Sequence, residues 1–319
     1  MTAGHNIYAY FSLTHNSLLS YSVPPRNKLP INLRFNSQGF FESMQNRTEK
    51  NIFHGEYWDT IAAESPSKKK ETLWRAHMKE LYQGLLDRWS EQARPIRILK
   101  TDLYEEAVSA HNLFPFLGSR CEHIIGVDVS YDMARAAKKR MGEEYRKAQT
   151  IAVSDARNQA FKSNVFDEVI SNSTLDHFSD KQDILVSLRE LQRILKVGGG
   201  LIITLDNPWN PVVFLRNRLP YRALKSLGVI PYYMGVTCSK SELLRVLQSN
   251  GFRVVASTAI VHSPRIFAIW IGKILGEIGS ERVRACFHRL LRVFELLEKL
   301  PTKYVTGYYV SVKAVKRRR

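Results

Sequence analysis

Residues 124–130, Ile124-Ile125-Gly126-Val127-Asp128-Val129-Ser130, decide the fold. A short apolar, β-branched run closing on an aspartate reads as a buried strand. Ser130 is placed to cap a helix running to Met141. The same pattern recurs on either side. Ile96-Arg97-Ile98-Leu99 precedes Asp102, Ile151-Ala152-Val153 precedes Asp155, Val169-Ile170 precedes Asp176, and Leu201-Ile202-Ile203-Thr204-Leu205 precedes Asp206. Strands alternating with helices predict a parallel sheet, and the ends of parallel strands gather on one edge. Ligands bind at that edge, where strand order reverses. Five carboxylates there suit a cationic ligand without phosphate.

The 319 residues, 44% of them hydrophobic, can bury a substantial core. There is no run of 18 apolar residues, and the most apolar C-terminal stretch, Ile266 to Ile278, is broken by Lys273, Gly276 and Glu277, so no membrane span is expected. The N-terminus lacks the charged-then-apolar order of a signal peptide. Cys121, Cys238 and Cys286 lie far apart, which predicts neither disulfides nor a metal site and points to a reducing cytoplasm. Net charge is +17, and it is concentrated: residues 213–319 hold 20 Lys and Arg against 5 Asp and Glu. Such a surface suits an anionic membrane, nucleic acid or an acidic substrate.

The chain divides into an irregular N-terminal extension (1–65), a core (66–260), a basic helical insertion (261–303) and a last strand with a basic tail (304–319). Leu73, Trp74, Met78, Leu81, Tyr82, Leu85 and Trp89 have helical spacing within residues 68–92. A helix over 180–195 should end on Gly198-Gly199-Gly200, and Ser239 with Glu242 has capping-box spacing for a helix to Gln248. Residues 252–258 and 304–315 read as strands, with two basic amphipathic helices, about 265–278 and 281–299, between them.

Four segments, taken in order, resemble the motifs of class I S-adenosylmethionine-dependent methyltransferases, closest in look to the small-molecule branch. They are residues 124–130, Ser154-Asp155-Ala156-Arg157, Phe166-Asp167-Glu168-Val169-Ile170-Ser171-Asn172-Ser173, and residues 188–203 (LRELQRILKVGGGLII). The resemblance implies an α/β fold: a doubly wound, mostly parallel seven-stranded sheet of Rossmann-like methyltransferase type, here with extra C-terminal helices. It also implies S-adenosyl-L-methionine as cofactor. Asp128 would accept the ribose hydroxyls, Val129 would lie on the adenine face, Asp155 and Ala156 would meet the adenine edge, and Asn172 would border the cofactor. The alternatives for the two carboxylates are a helix-start charge and a turn.

One departure stands out. Where the family places a glycine-rich turn, this chain reads Lys100-Thr101-Asp102-Leu103-Tyr104-Glu105-Glu106. Without glycine the backbone cannot approach a ligand in the same way. Asp102, with Thr101 beside it, is the candidate to hold the cofactor's ammonium; Glu105 and Glu106 read as first-turn helix charges.

For the chemistry, His177 is the candidate general base and Asp176 its orienting partner or a substrate contact, against a purely structural role for both. Asp206 and Asn207, in a proline-stiffened loop with Trp209, read as a substrate wall against a rigid turn, and His262 with Arg265 as a cover or acid-binding pair against the more ordinary structural or solvated role. The expected function is methyl transfer to a small-molecule or lipid-like acceptor by a cytoplasmic enzyme whose basic helices could rest on an anionic membrane. Nucleic acid ranks below these, because no recognised binding motif accompanies the charge. A non-catalytic methyltransferase-like binding protein and a nucleic-acid methyltransferase are the rivals.

Overall fold

A computed structural model describes residues 55–64, 73–89, 95–141, 149–226, 230 and 232–318. Helices α1 (Gly55–Glu64) and α2 (Leu73–Trp89) lead into β1 (Arg97–Lys100). Then follow α3 (Tyr104–Val108), α4 (Phe114–Gly118), β2 (His123–Asp128), α5 (Tyr131–Arg140), β3 (Gln149–Val153) and β4 (Phe166–Asn172). The chain continues through α6 (Lys181–Ile194), β5 (Leu195–Asp206), α7 (Pro211–Arg216), α8 (Tyr221–Ser226), α9 (Lys240–Ser249) and β6 (Phe252–Ile260). It closes with α10 (Arg265–Ile278), α11 (Glu281–Phe294), α12 (Lys303–Thr306) and β7 (Tyr309–Lys316).

The seven strands form one sheet in the order β3-β2-β1-β4-β5-β7-β6. All neighbours are parallel except β7, which runs antiparallel to both β5 and β6. Order reverses between β1 and β4, and there the register aligns Lys100 with Ile170. Period-two alternation fills both faces. Leu99, Val127, Val169, Leu201 and Ile203 pack against α6 and α9, while Ile98, Ile124, Ile170 and Ile202 pack under α3, α4 and α5. Gly126 is required in β2, because a Cβ there would lie 2.5 Å from the Phe114 ring.

Several expected boundaries move. Ser130 does cap α5, accepting from the Met133 N–H at 3.0 Å. The three glycines do not cap α6, which stops at Ile194; they lie within β5, where the pairing with β4 jumps from Leu195 to Gly200 and Gly198 takes a φ of 82°. The last strand starts at Tyr309 rather than 304, since Lys303–Thr306 forms a helical turn. Nor is the N-terminal extension wholly irregular: α1 buries Ile61 against the core, and Asp59 accepts from Ser130 Oγ and the Asp132 N–H. Residues 1–54 lie outside the described part.

A third apolar cluster joins Trp74 and Leu85 of α2, Ala268 of α10, Phe287 and Leu291 of α11, and Tyr308 and Tyr309. The inserted helices therefore pack on α2 and on the β6–β7 edge, which brings the start of α10 to the reversal point of the sheet.

Candidate active site

A cleft of about 420 Å³ opens over the ends of β1, β2, β3 and β4. Its size is that of a small-molecule site. At its β2 end, Asp128 takes the Leu103 N–H on Oδ2 at 3.0 Å and the Ser130 N–H on Oδ1 at 2.9 Å. These bonds fix the carboxylate and leave each oxygen a lone pair for a ligand hydroxyl. Burial, reinforced by the charge of Asp102, raises its pKa to about 7. Val129, Ser154 and Ala156 continue this wall. Asp155 lines it too, but its carboxylate is clasped by Arg157 (Nη2 to Oδ2, 2.6 Å), which also reaches Asp183.

The glycine-free turn is rebuilt with charge. Lys100 Nζ lies buried 2.8 Å from Glu106 Oε2, 3.6 Å from Asp102 Oδ2, and donates to the Asp102 carbonyl. Burial opposes the lysine's charge, but Glu106 and Asp102 more than offset it and its pKa is raised. The ion pair ties the end of β1 to the short helix of residues 104–108, which stands where the resembled pattern has a glycine turn. Outside it, Arg75 of α2 pairs with Glu105. Thr101 Oγ1 donates to Ser171 Oγ at 3.0 Å, tying β1 to β4. Beside them Asn172 lines the cleft with both Nδ2 and Oδ1 buried and unbonded among the described residues. A buried unsatisfied amide is costly, about 1–3 kcal/mol per group, unless a ligand completes it.

On the other wall, His177 Nδ1 lies 3.1 Å from the Tyr233 carbonyl. A carbonyl only accepts, so Nδ1 carries the proton and Nε2 of the neutral ring keeps its lone pair. Trp58 and Tyr232 flank this ring with centroids at 5.0 and 5.4 Å. The strip bearing Tyr232 is held close to the cleft because Gly235, where a Cβ would stand 2.0 Å from the Phe178 carbonyl oxygen, lets it lie along residues 176–178.

Four expected site residues are placed elsewhere. Asp176 is interior: its Oδ2 accepts from Ser173 Oγ and the Asp206 N–H, both at 2.9 Å, and it makes no bond to His177. Burial, then the charge of Asp206, raises its pKa to about 6. Asp206 is 0% exposed and paired with Arg216 at 2.7 Å. Asn207 donates to the Tyr304 and Gly307 carbonyls, each at 2.8 Å, so its loop is a brace and not a substrate wall. His262 is buried between Thr306 Oγ1 (2.8 Å) and the Ala259 carbonyl (3.0 Å). Conversely, Trp58, Tyr104 and the α2 face of Arg75, Met78, Lys79 and Tyr82 border the cleft without having been read as site residues. The i, i+3, i+4, i+7 spacing of that face was visible; what it faced was not.

Residues 107–203 match the family model of a methyltransferase domain. Over these residues the chain is similar to a methyltransferase domain. Among characterised proteins, 83 residues are 30% identical to phosphoethanolamine N-methyltransferase 2 of Caenorhabditis elegans, covering 26% of this chain and 18% of that one. A stretch of 84 residues is 34% identical to demethylmenaquinone methyltransferase of Thermobifida fusca (strain YX), covering 26% of this chain and 34% of the other. The matched stretches thus span only 18% and 34% of these two relatives. In fold, the chain is similar to an S-adenosylmethionine-dependent methyltransferase from Mesorhizobium loti, with a TM-score of 0.50 at 12% identity over 73% of this chain and 96% of that one.

S-adenosylmethionine is the cofactor of this domain family, and the residues present fit it. The orphaned Asn172 amide and the half-used Asp128 carboxylate offer acceptors and a donor on one wall, and the charge at the turn is mainly acidic, as a cationic ligand requires. With that cofactor bound, Asp128, Val129, Ser154 and Ala156 would hold the adenosine, with Asp102 and Asn172 at the amino-acid end.

Proposed function

We propose that this protein methylates a small-molecule or lipid-like acceptor. The observation that carries the reading is that His177, its Nδ1 proton fixed on the Tyr233 carbonyl, borders the same cleft as Asp128 and the unbonded Asn172 amide. When bound, the cofactor supplies an electrophilic methyl group. His177 Nε2 takes the proton that an acceptor oxygen, nitrogen or carbon must lose, while Trp58 and Tyr232 hold the ring and keep water from it. The names of the two relatives, one acting on phosphoethanolamine and the other on demethylmenaquinone, support a small-molecule acceptor without choosing between such compounds. We place the protein in the cytoplasm, where Cys121, Cys238 and Cys286 would stay reduced.

Calorimetry with S-adenosylhomocysteine tests the reading. We expect binding by the wild type, loss of at least about tenfold in affinity for Asp128→Ala, and retention by His177→Gln within about twofold with turnover lowered about 10²-fold or more. Absence of wild-type binding would leave the rival of a non-catalytic binding protein.

A second proposal concerns the surface. Phe267 and Trp270 on α10, 67% and 63% exposed, stand on the helix whose Ile269 borders the cleft. We read this rim as a peripheral contact with an anionic membrane, from which a lipid-like acceptor would enter. No described helix is long and apolar enough to cross a membrane.

A further inference from the structure

We infer that Arg265 is the anchor for an anionic group, a phosphate or a carboxylate, on the acceptor. Arg265 opens α10 and lines the cleft together with Ile269 one turn on. Its guanidinium lies over the Tyr308 ring, 4.5 Å from the centroid, and Nη1 donates to Tyr309 Oη at 3.1 Å. These contacts aim the planar fork but use little of it, and most of its N–H donors are uncommitted among the described residues.

No carboxylate among the described residues pairs with it. Asp206, whose field reaches Arg265, is spent on Arg216. Glu295, at the approach to α10, accepts from the His262 and Ser263 N–H groups and contacts His77. The position is costly for a cation in a second way. Arg265 stands in the first turn of a 14-residue helix whose N-cap, Pro264, supplies no capping side chain. The positive end of the helix dipole therefore adds to the guanidinium charge. A cation kept in a cleft, pre-aimed by two tyrosines and lacking an ion-pair partner, is the arrangement that recognises a planar or tetrahedral oxyanion through paired hydrogen bonds.

The placement also gives the acceptor a direction. The Tyr232 ring stands 5.4 Å from that of His177 and lies within the field of Arg265, and all three line the cleft. An acceptor anchored at Arg265 would lie along Tyr232 and present its methylated atom to His177. Lys79 of α2, another cleft-lining cation without an ion-pair partner among the described residues, supplements the field.

That the anion belongs to a methyl acceptor rests on the methyltransferase reading; the anion site itself does not. Calorimetric titration of the full chain with inorganic phosphate, and separately with acetate, at constant ionic strength tests it. We expect wild-type binding of one or both, weakened about tenfold by Arg265→Gln and about threefold by Arg265→Lys, which keeps charge but loses the fork. Tighter phosphate than acetate binding identifies a phosphoryl group, and the reverse a carboxylate. Affinity for S-adenosylhomocysteine should stay within about twofold in both variants. No wild-type anion binding, or binding unchanged in the variants, overturns the site. If Arg265→Gln fails to fold by circular dichroism, the Arg265→Lys result decides alone. Loss of S-adenosylhomocysteine along with the anion would instead assign Arg265 to the cofactor's own carboxylate and also overturn the proposal. Should the wild type bind anions but no S-adenosylhomocysteine, the methyltransferase reading falls and the anion site stands.

Discussion

Asp128 and Asn172 carry opposite signatures of a ligand site. Asp128 has a pKa raised from 3.8 to about 7, first by burial and then by Asp102. A carboxyl whose pKa is raised on folding stabilises the fold fully below about pH 4, and that contribution is lost as pH rises through about 7. Ligand hydroxyls need the ionised form as acceptor, so S-adenosylhomocysteine affinity should climb between about pH 5.5 and 7.5, up to about tenfold per pH unit. Binding below pH 7 should release a proton, seen as a buffer-dependent heat, and Asp128→Asn should flatten the profile. Asn172 offers the complementary test. Removing an amide that has no partner cannot cost a hydrogen bond, so Asn172→Ala should leave the unfolding free energy from chemical denaturation unchanged or raise it, by about 1–3 kcal/mol of relieved desolvation at most. Ligand affinity should fall at the same time. A variant that lost stability and kept affinity would make Asn172 an ordinary strand residue.

At the scale of elements, the helix α3 replaces a glycine turn by a buried ion pair, and this is where the chain departs most from the pattern it resembles. Lys100 and Glu106 side chains are each 3% exposed. Removing one partner strands the other charge, so Lys100→Met alone should cost about 3–5 kcal/mol in chemical denaturation. The double variant Lys100→Met, Glu106→Leu should recover most of it, because two apolar side chains can fill the space without desolvating charge. A double variant as unstable as the single one would show that α3 is held by other bonds. The missing glycines were legible in the sequence; the ion pair was not, since a lysine at a strand end is normally solvated and nothing in the spacing says that Glu106 turns back toward it. The strand-end aspartates divide for a similar reason. Each of the five closes or follows its strand as expected, but facing the cleft or the interior is set by partners that the local pattern does not name. Asp128 is held by backbone N–H groups local to the cleft. Asp206 is drawn inward by Arg216, ten residues on, and Asp176 by the backbone of Asp206. The sheet, with its alternating apolar faces, could be read from local pattern; the substrate half, assembled from α1, α2, α10 and the Tyr232 strip, required the tertiary contacts.

Across the whole molecule, charge and apolar surface coincide in the last third of the chain. Residues 213–319 hold 20 basic against 5 acidic residues. The same region leaves Ile266, Phe267 and Trp270 of α10 and Leu290 and Val293 of α11 exposed, although the opposite faces of both helices are packed in the third core cluster. A solvated helix normally turns polar residues outward; α10 does the reverse. Two forces would act together at an anionic bilayer: about 1 kcal/mol for each basic residue held near the surface, and about 25 cal/mol for each Å² of apolar surface withdrawn from water. They separate by salt. Sedimentation with phosphatidylglycerol vesicles should show binding that weakens between 0.05 and about 0.5 M salt as screening sets in, yet keeps a residual that Phe267→Glu and Trp270→Glu abolish. Zwitterionic phosphatidylcholine vesicles should bind weakly at every salt concentration. A nucleic-acid surface would behave differently, losing affinity steeply and almost completely with salt while ignoring the two α10 substitutions. Vesicle binding that is absent at low salt, or that survives both substitutions unchanged, would remove the membrane from the account and leave α10 as a cover over the cleft.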